Sequence, residues 1–177
     1  MRIITGKYRG LKLASFEGYD IRPTADRVKE SLFNILGESV RGAKVLDLFC
    51  GSGNLGIESI SRGAEFVHFN DKSKASIQVL KKNLAKIKDS NYKITLSDYS
   101  ECLSSCGVFD LIFIDPPYSS DYGVKALNLI GEKGLLSENG IAVFESETPF
   151  SEETYLNLFD ERKYGRTYLS FFKVGNV

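Results

Sequence analysis

Two stretches of this chain carry residue types whose order could do chemistry. In the first, Val45-Leu46-Asp47-Leu48-Phe49-Cys50-Gly51-Ser52-Gly53-Asn54-Leu55-Gly56, an apolar run leads into glycines and then into helix-forming residues. Glycines let backbone amides come close to a ligand, and a helix that starts beside them turns its positive end toward it. Such a loop suits any adenosine-bearing cofactor. Asp47 narrows the choice, because a carboxylate at the strand end repels a pyrophosphate and pairs with an ammonium group. That favours S-adenosylmethionine over a nicotinamide dinucleotide; the plainer alternative is that Asp47 caps the turn. Asp71 follows the apolar run EFVHFN about 20 residues beyond the loop, the spacing at which an acid accepts hydrogen bonds from ribose hydroxyls. Asp98, after Leu96-Ser97, is either an acceptor for the adenine amino group or a surface acid.

The second stretch is Asp115-Pro116-Pro117-Tyr118, which follows the apolar run LIFI and therefore leaves the carboxyl end of a strand, where ligands bind in open α/β sheets. An exocyclic amine on a nucleobase is a poor nucleophile, since its lone pair is delocalised into the ring. Asp115 and the Pro116 carbonyl offer two acceptors that hold such an amine. The prolines stiffen the turn and donate no competing N–H, and the flat ring of Tyr118 can stack on a base taken out of its helix. The alternative is a rigid strand exit with a packed tyrosine. Together, in this order, the two stretches point to direct in-line methyl transfer governed by proximity and orientation.

These residues need elements to position them. From Lys44, short apolar runs alternate with amphipathic segments: KVLDLF, NLGIESISRG, EFVHFN, SKASIQVLKKNLAKI, YKITLSD, DLIFIDPP, VKALNLIGEKGLL and IAVFES. This alternation predicts an α/β fold with a mostly parallel, doubly wound sheet. RKYGRTYLSFFKV predicts two strands around Gly165, an antiparallel edge. Upstream, IRPTADRVKESLFNILG predicts a helix capped by Thr24, with Val28, Leu32, Ile35 and Leu36 on its apolar side and Gly37 at its end. IITGKYRGLKLASF predicts a hairpin around Gly6 or Gly10. The first twelve residues hold Arg2, Lys7, Arg9 and Lys12 and no acid, which suits either an anion-binding end or a solvated basic edge.

The 177 residues, 42% hydrophobic and 26% charged, amount to one globular domain with a small appendage. Twenty-three basic and 23 acidic residues cancel, which excludes a uniformly basic nucleic-acid coat. No stretch approaches the roughly 18 apolar residues of a membrane span, and MRIITGKYRG lacks the apolar core of a signal peptide, so a cytoplasmic protein without membrane contact is expected. Cys50, Cys102 and Cys106 form no CxxC pair, and His68 alone cannot complete a zinc site, so reduced thiols and no metal are expected.

With both motifs in hand, the chain resembles class I S-adenosylmethionine-dependent methyltransferases, and more narrowly the RsmD family, which methylates a guanine N2 in small-subunit (16S) ribosomal RNA. The resemblance rests on MRIITGKYRGLKL, RPTADRVKESLFNIL, LDLFCGSGNLGIESISRGA, FIDPPY and YGRTYLSFFK, in order and across nearly the whole chain. It implies a Rossmann-like domain over 41–177 and a dependent N-terminal hairpin and helix over 1–40. It implies that Asp47, Gly51 and Gly53 surround the methionine part of the cofactor, that Asp71 holds the ribose, and that Asp98 faces the adenine. Thr24 and Arg27 would neighbour cofactor or substrate. Asp115, Pro116 and Tyr118 would take the guanine as catalytic residues, and Arg2, Lys7, Arg9 and Lys12 would meet RNA phosphates. The family often carries Glu where this chain has Asp71, and the register of EFVHFND leaves a residue or two of freedom there. The implied substrate is small-subunit ribosomal RNA, free or in an assembling particle, and the implied enzyme is a monomer. Rival readings are an adenine-N6 methyltransferase acting on RNA or DNA, and a non-catalytic RNA-binding assembly protein. The chain leaves no room for a separate DNA target-recognition domain.

Overall fold

A computed structural model of the chain describes residues 1–15, 23–117 and 121–175. The strands are β1 (Lys44–Asp47), β2 (Phe66–Asp71), β3 (Tyr92–Leu96), β4 (Phe109–Ile114), β5 (Leu136–Ser146), β6 (Leu156–Tyr164) and β7 (Thr167–Val174). The helices are α1 (Pro23–Leu36), α2 (Asn54–Ser61), α3 (Lys74–Leu84), α4 (Tyr99–Ser105) and α5 (Tyr122–Glu132). One sheet takes all seven strands in the order β3-β2-β1-β4-β5-β7-β6. β3, β2, β1, β4 and β5 pair in parallel, while β7 pairs antiparallel with both β5 and β6. The strand order reverses between β1 and β4, so the crevice beyond their carboxyl ends is where ligands bind in a sheet of this kind.

Alternation along the strands assigns the two faces. Val45, Phe69, Leu111, Phe113, Val143 and Phe171 pack with α1, α2 and α3, whereas Leu46, Ile112, Ile114, Ala142, Phe144 and Phe172 pack with α4 and α5. Both faces are covered, which explains why the central runs are apolar rather than strictly alternating with polar residues.

Two features differ from the reading of the sequence. α4, with the sequence YSECLSS, is absent from the alternation read there. Only Cys102 and Leu103 of it are buried, and the hydroxyls of Ser104 and Ser105 donate to the carbonyls of Ser100 and Glu101, so it has too short an apolar stripe to register. In α1 the buried residues are Val28, Lys29, Leu32, Phe33 and Leu36, and Ile35 is exposed. The buried face thus takes in Lys29 and Phe33 in place of Ile35. Thr24 lies in the first turn of the helix rather than ahead of it. Among the described residues, no helix is long and apolar enough to cross a membrane.

The N-terminal segment is a hairpin: Ile3 N–H donates to the Leu11 carbonyl, Gly10 N–H to that of Ile3, and Leu13 N–H to that of Met1. It docks on α2. Ile4 and Thr5 N–H donate to Glu58 at 2.8 and 3.0 Å, and Lys7 N–H donates to the Ser61 carbonyl at 2.8 Å. Gly6 is required here, since a Cβ would lie 1.9 Å from the Ser61 carbonyl oxygen.

Candidate active site

Three acids end neighbouring strands on one side of the sheet. Asp47 closes β1, paired with Phe113 of β4; Asp115 follows Ile114, which pairs with Phe144 of β5; Glu145 is the residue after Phe144. Adjacent strands lie about 4.8 Å apart, so Asp115 and Glu145 lie side by side and Asp47, opposite Phe113, stands two residues back, a staggered row across the switch point. All three line one cavity of about 740 Å³, together with Phe49, Gly51 and Arg166 among others. Asp47 is 2% exposed and accepts the Gly56 N–H at 2.9 Å. Burial pushes its carboxyl up to about 7 from 3.8, opposed by the Gly56 amide and helped by the charge of Asp71. The Asp115 carboxyl is held well above the carboxylate range by burial first, then by Glu145 and Asp47. Among the described residues, no lysine or arginine forms an ion pair with Asp47 or Asp115. A row built this way is poised for a cation.

A second cavity, of about 560 Å³, adjoins the first at Phe49, Gly51 and Asp115. The rings of Phe49, Tyr99 and Tyr122 run along it, with centroids 5.6 and 5.3 Å apart, and Asp71, Ser73 and Asp98 add polar groups. An aromatic wall with a few acceptors matches a nucleoside, and the acid row matches a positively charged group joined to it. The two cavities together therefore fit S-adenosylmethionine, whose adenosine would lie against the rings and whose charged end would lie over Asp47.

The loop that separates the cavities is held by backbone contacts. Gly51 (φ +52°) has open space where a Cβ would project, and its N–H donates to Asp71 Oδ2 at 2.9 Å. Asp71 Oδ1 accepts the Ser73 N–H at 2.8 Å, so this acid ties the glycine loop to the start of α3 while lining the nucleoside cavity. Gly53 (φ +84°) precedes α2, and a Cβ there would meet Leu80 at 2.4 Å.

The family model described as conserved hypothetical protein 95, that of the RsmD family, matches residues 1–173. The chain is 37% identical over 148 residues to ribosomal RNA small subunit methyltransferase D of Escherichia coli K12, covering 83% of this chain and 75% of that one. The chain belongs to the RsmD family of S-adenosylmethionine-dependent methyltransferases. YlbH of Bacillus subtilis is 38% identical over 181 residues and 98% of each chain. The solved structure of the Escherichia coli protein yhhF superimposes with a TM-score of 0.88 at 34% identity, over 98% of this chain and 97% of that one.

In this RsmD-family chain, Asp47, Gly51, Asp71, Asp98, Asp115 and Pro116 all line one or both cavities. Asp98 also caps α4, its Oδ1 accepting from the backbone and hydroxyl of Ser100 at 3.0 and 2.8 Å. Gly53 lines neither cavity; its place is to let the loop pack on α3. Arg27 is not brought to the cofactor cavities either. It points along the neighbouring side of α1 and lines a separate groove with Arg2 and Arg9. Tyr118 and the side chain of Thr24 lie outside the described residues. Arg2 pairs with Asp26 at 3.6 Å and Lys7 with Asp89 at 3.1 Å; with Arg9 and Lys12, all four bases of the hairpin are exposed.

Cys50, though beside the glycine loop, is no nucleophile: burial, and then the charges of Asp47 and Asp71, push its thiol far above the usual range. Sequence reasoning missed Phe49, Tyr99, Tyr122 and Glu145. The three aromatics look like core residues in one dimension, and Glu145 ends a strand like any polar residue at a surface. Its signal was the register: it stands at the end of IAVFES as Asp115 stands at the end of LIFID.

Proposed function

We propose that this chain transfers a methyl group from S-adenosylmethionine to the exocyclic N2 amine of a guanine in small-subunit ribosomal RNA. The observation that carries the reading is the row Asp47, Asp115 and Glu145, set where an aromatic nucleoside cavity meets a wider, acid-lined one. The printed name of the Escherichia coli relative supplies the substrate class.

When bound, S-adenosylmethionine supplies a methyl carbon activated by positive sulfur. The chain's own residues do the rest. Phe49, Tyr99 and Tyr122 receive the adenine face, Asp71 accepts from the ribose, and Asp98 accepts from the adenine amine. Asp47 accepts from the ammonium group while still holding the Gly56 amide. Asp115 and the Pro116 carbonyl accept the two N–H groups of the guanine amine, which draws its lone pair out of ring conjugation. As the new N–C bond forms, the amine sheds a proton. Burial raises the proton affinity of the Asp115 carboxylate, so in its ionised form it stands as the base that takes that proton and passes it to water. The Pro116-Pro117 turn keeps these acceptors in place, and most of the acceleration comes from orientation. The exposed hairpin bases bind backbone phosphates, with affinity that falls as salt rises.

The test is transfer of radiolabelled methyl from S-adenosylmethionine to RNA and to small ribosomal particles from cells lacking the protein, followed by nucleoside digestion. Labelled N2-methylguanosine confined to small-subunit RNA is the expected result. Label in adenine overturns the target, and absence of transfer to both substrates overturns the activity.

A further inference from the structure

We propose that Glu145 is the residue that selects guanine over adenine, by accepting the ring N1–H that lies next to the amine held by Asp115. The inference rests on the guanine-N2 reading and adds the residue that reads the base.

Position separates the three acids of the row. Asp47 sits beneath the glycine loop, and Asp115 lines both the nucleoside cavity and the wider one. Glu145 does not line the nucleoside cavity. It lines the wider cavity and also a groove on the far side of the proline turn, shared with Pro116, Pro117 and Phe150. It therefore lies on the side of Asp115 away from the nucleoside cavity. The β4–β5 pairing of Ile114 with Phe144 puts Asp115 and Glu145 side by side on adjacent strands, and their charges are close enough for Glu145 to raise the Asp115 carboxyl. Glu145 is half-buried, so a bond made there is shielded from water on one side.

Base chemistry does the rest. The Watson–Crick edge of guanine presents two neighbouring donors, N1–H and the N2 amine. Adenine presents its N6 amine beside an N1 lone pair. Two acceptors spaced by one strand interval match the first pattern. Against the second, the Glu145 acceptor meets a lone pair and loses its bond. Asp115 alone is indifferent, because it serves any exocyclic amine. A site built to bond a donor rejects an analogue that lacks it far more strongly than shape alone would.

The probe that isolates this contact is 2-aminopurine, which keeps the exocyclic 2-amine and has an unprotonated N1. Small-subunit RNA ligated from a synthetic segment would carry guanine or 2-aminopurine at the methylated position, once mapped. The native enzyme is expected to methylate the guanine RNA on the order of 10- to 100-fold faster than the 2-aminopurine RNA. In Glu145→Gln, whose amide can donate to N1 as well as accept, that ratio is expected to fall to within a few-fold, through both a slower guanine reaction and a faster 2-aminopurine one. Glu145→Asp, which keeps a carboxylate, is expected to preserve most of the preference. Cofactor titration checks that each variant is folded, with affinity within about twofold of the native protein expected on the cofactor side of the row. Equal rates on the two RNAs with the native enzyme would overturn the proposal, as would a Glu145→Gln variant that loses both reactions in proportion. If the native enzyme yields no N2-methylguanosine from the guanine RNA, the underlying reading fails instead, and the two failures are told apart by the product.

Discussion

Two buried acid sites, one on α2 and one at the ends of β1 and β4, are built in opposite ways. Glu58, on α2 itself, is fully buried with the Lys29 ammonium at 3.1 Å and the Arg62 guanidinium at 2.9 Å. Two backbone amides of the N-terminal hairpin complete its bonding, and Lys29 in turn donates to the Arg2 carbonyl and to Asn54 at 2.6 and 2.8 Å. Asp47 and Asp115, at the strand ends, have no cationic partner among the described residues, and both carboxyls are pushed upward. The chain thus neutralises a buried acid completely where it needs a joint, and leaves acids uncompensated where a charged ligand is to arrive. A deficit in charge compensation, rather than the presence of carboxylates, distinguishes the candidate crevice from the joint.

Breaking the chemistry at its centre should have the largest effect. Asp115→Ala is expected to lower turnover by at least about a thousandfold while cofactor affinity stays within a few-fold, as measured by methyl transfer and by equilibrium titration. Equal loss of both would place Asp115 in cofactor binding instead. The joint should fail differently. Glu58→Gln leaves the buried Lys29 and the half-buried Arg62 short of their counter-charge and is expected to cost about 3 kcal/mol of stability in urea unfolding, with the cofactor affinity of the folded protein nearly unchanged. If that variant is as stable as the native chain, the contrast between the two clusters collapses.

The third experiment sharpens the contrast by sign. The Asp47 carboxyl titrates near 7 when folded and near 3.8 when unfolded. A raised folded value means that the stability it supports is complete below about pH 4 and is lost as pH rises toward 7. Asp47→Asn should therefore stabilise the cofactor-free protein at pH 8 by about 2 kcal/mol, with the gain shrinking toward pH 4, while weakening cofactor binding. The comparison has to be between native and variant at each pH, because His68 titrates with the opposite sign. Burial and then Lys93 hold its folded value at about 4 against 6.5, so it withdraws stability as pH falls through that window. The smallest effect belongs to the hairpin surface. Arg9→Ala and Lys12→Ala should each reduce the slope of log RNA affinity against log salt by about 1, leaving cofactor affinity unchanged.

Much of the fold was legible because its signals are local. The strand–loop–helix order around Asp47, the strand exit at Asp115 and the hairpin about Gly165 each announce themselves within a dozen residues. Asp71 and Asp98 could be placed beside the crevice, whose second cavity they line, because strand ends are predictable once the strands are. The Glu58 joint was not legible, since in NLGIESISRG it reads as a solvated helical acid. Its burial depends on a hairpin more than fifty positions away. Lys29 was hidden for the same reason, since its partners Glu58 and the Arg2 carbonyl lie 27 or more positions away. Arg27 was carried along with a conspicuous block, although one residue's rotation about a helix axis is enough to send it to another groove. Glu145 needed the register of two strands before its neighbour was known.

The docking of the hairpin on α2 also orders events in time. Its contacts to Glu58 and Ser61 close chain loops of 53 to 56 residues, whereas the hairpin itself and each strand–helix unit close within short spans. Distant closures are made against a larger entropy cost and so follow local ones. Refolding should therefore pair β1 with β2, which closes a much shorter loop, before it seats the hairpin, and until the hairpin docks Glu58 lacks two of its donors while Lys29 lacks the Arg2 carbonyl. Amides of Ile4, Thr5 and Lys7 should gain exchange protection after those of the β1–β2 pair. The glycine loop would then acquire its final rigidity only when the far end of the chain has come home.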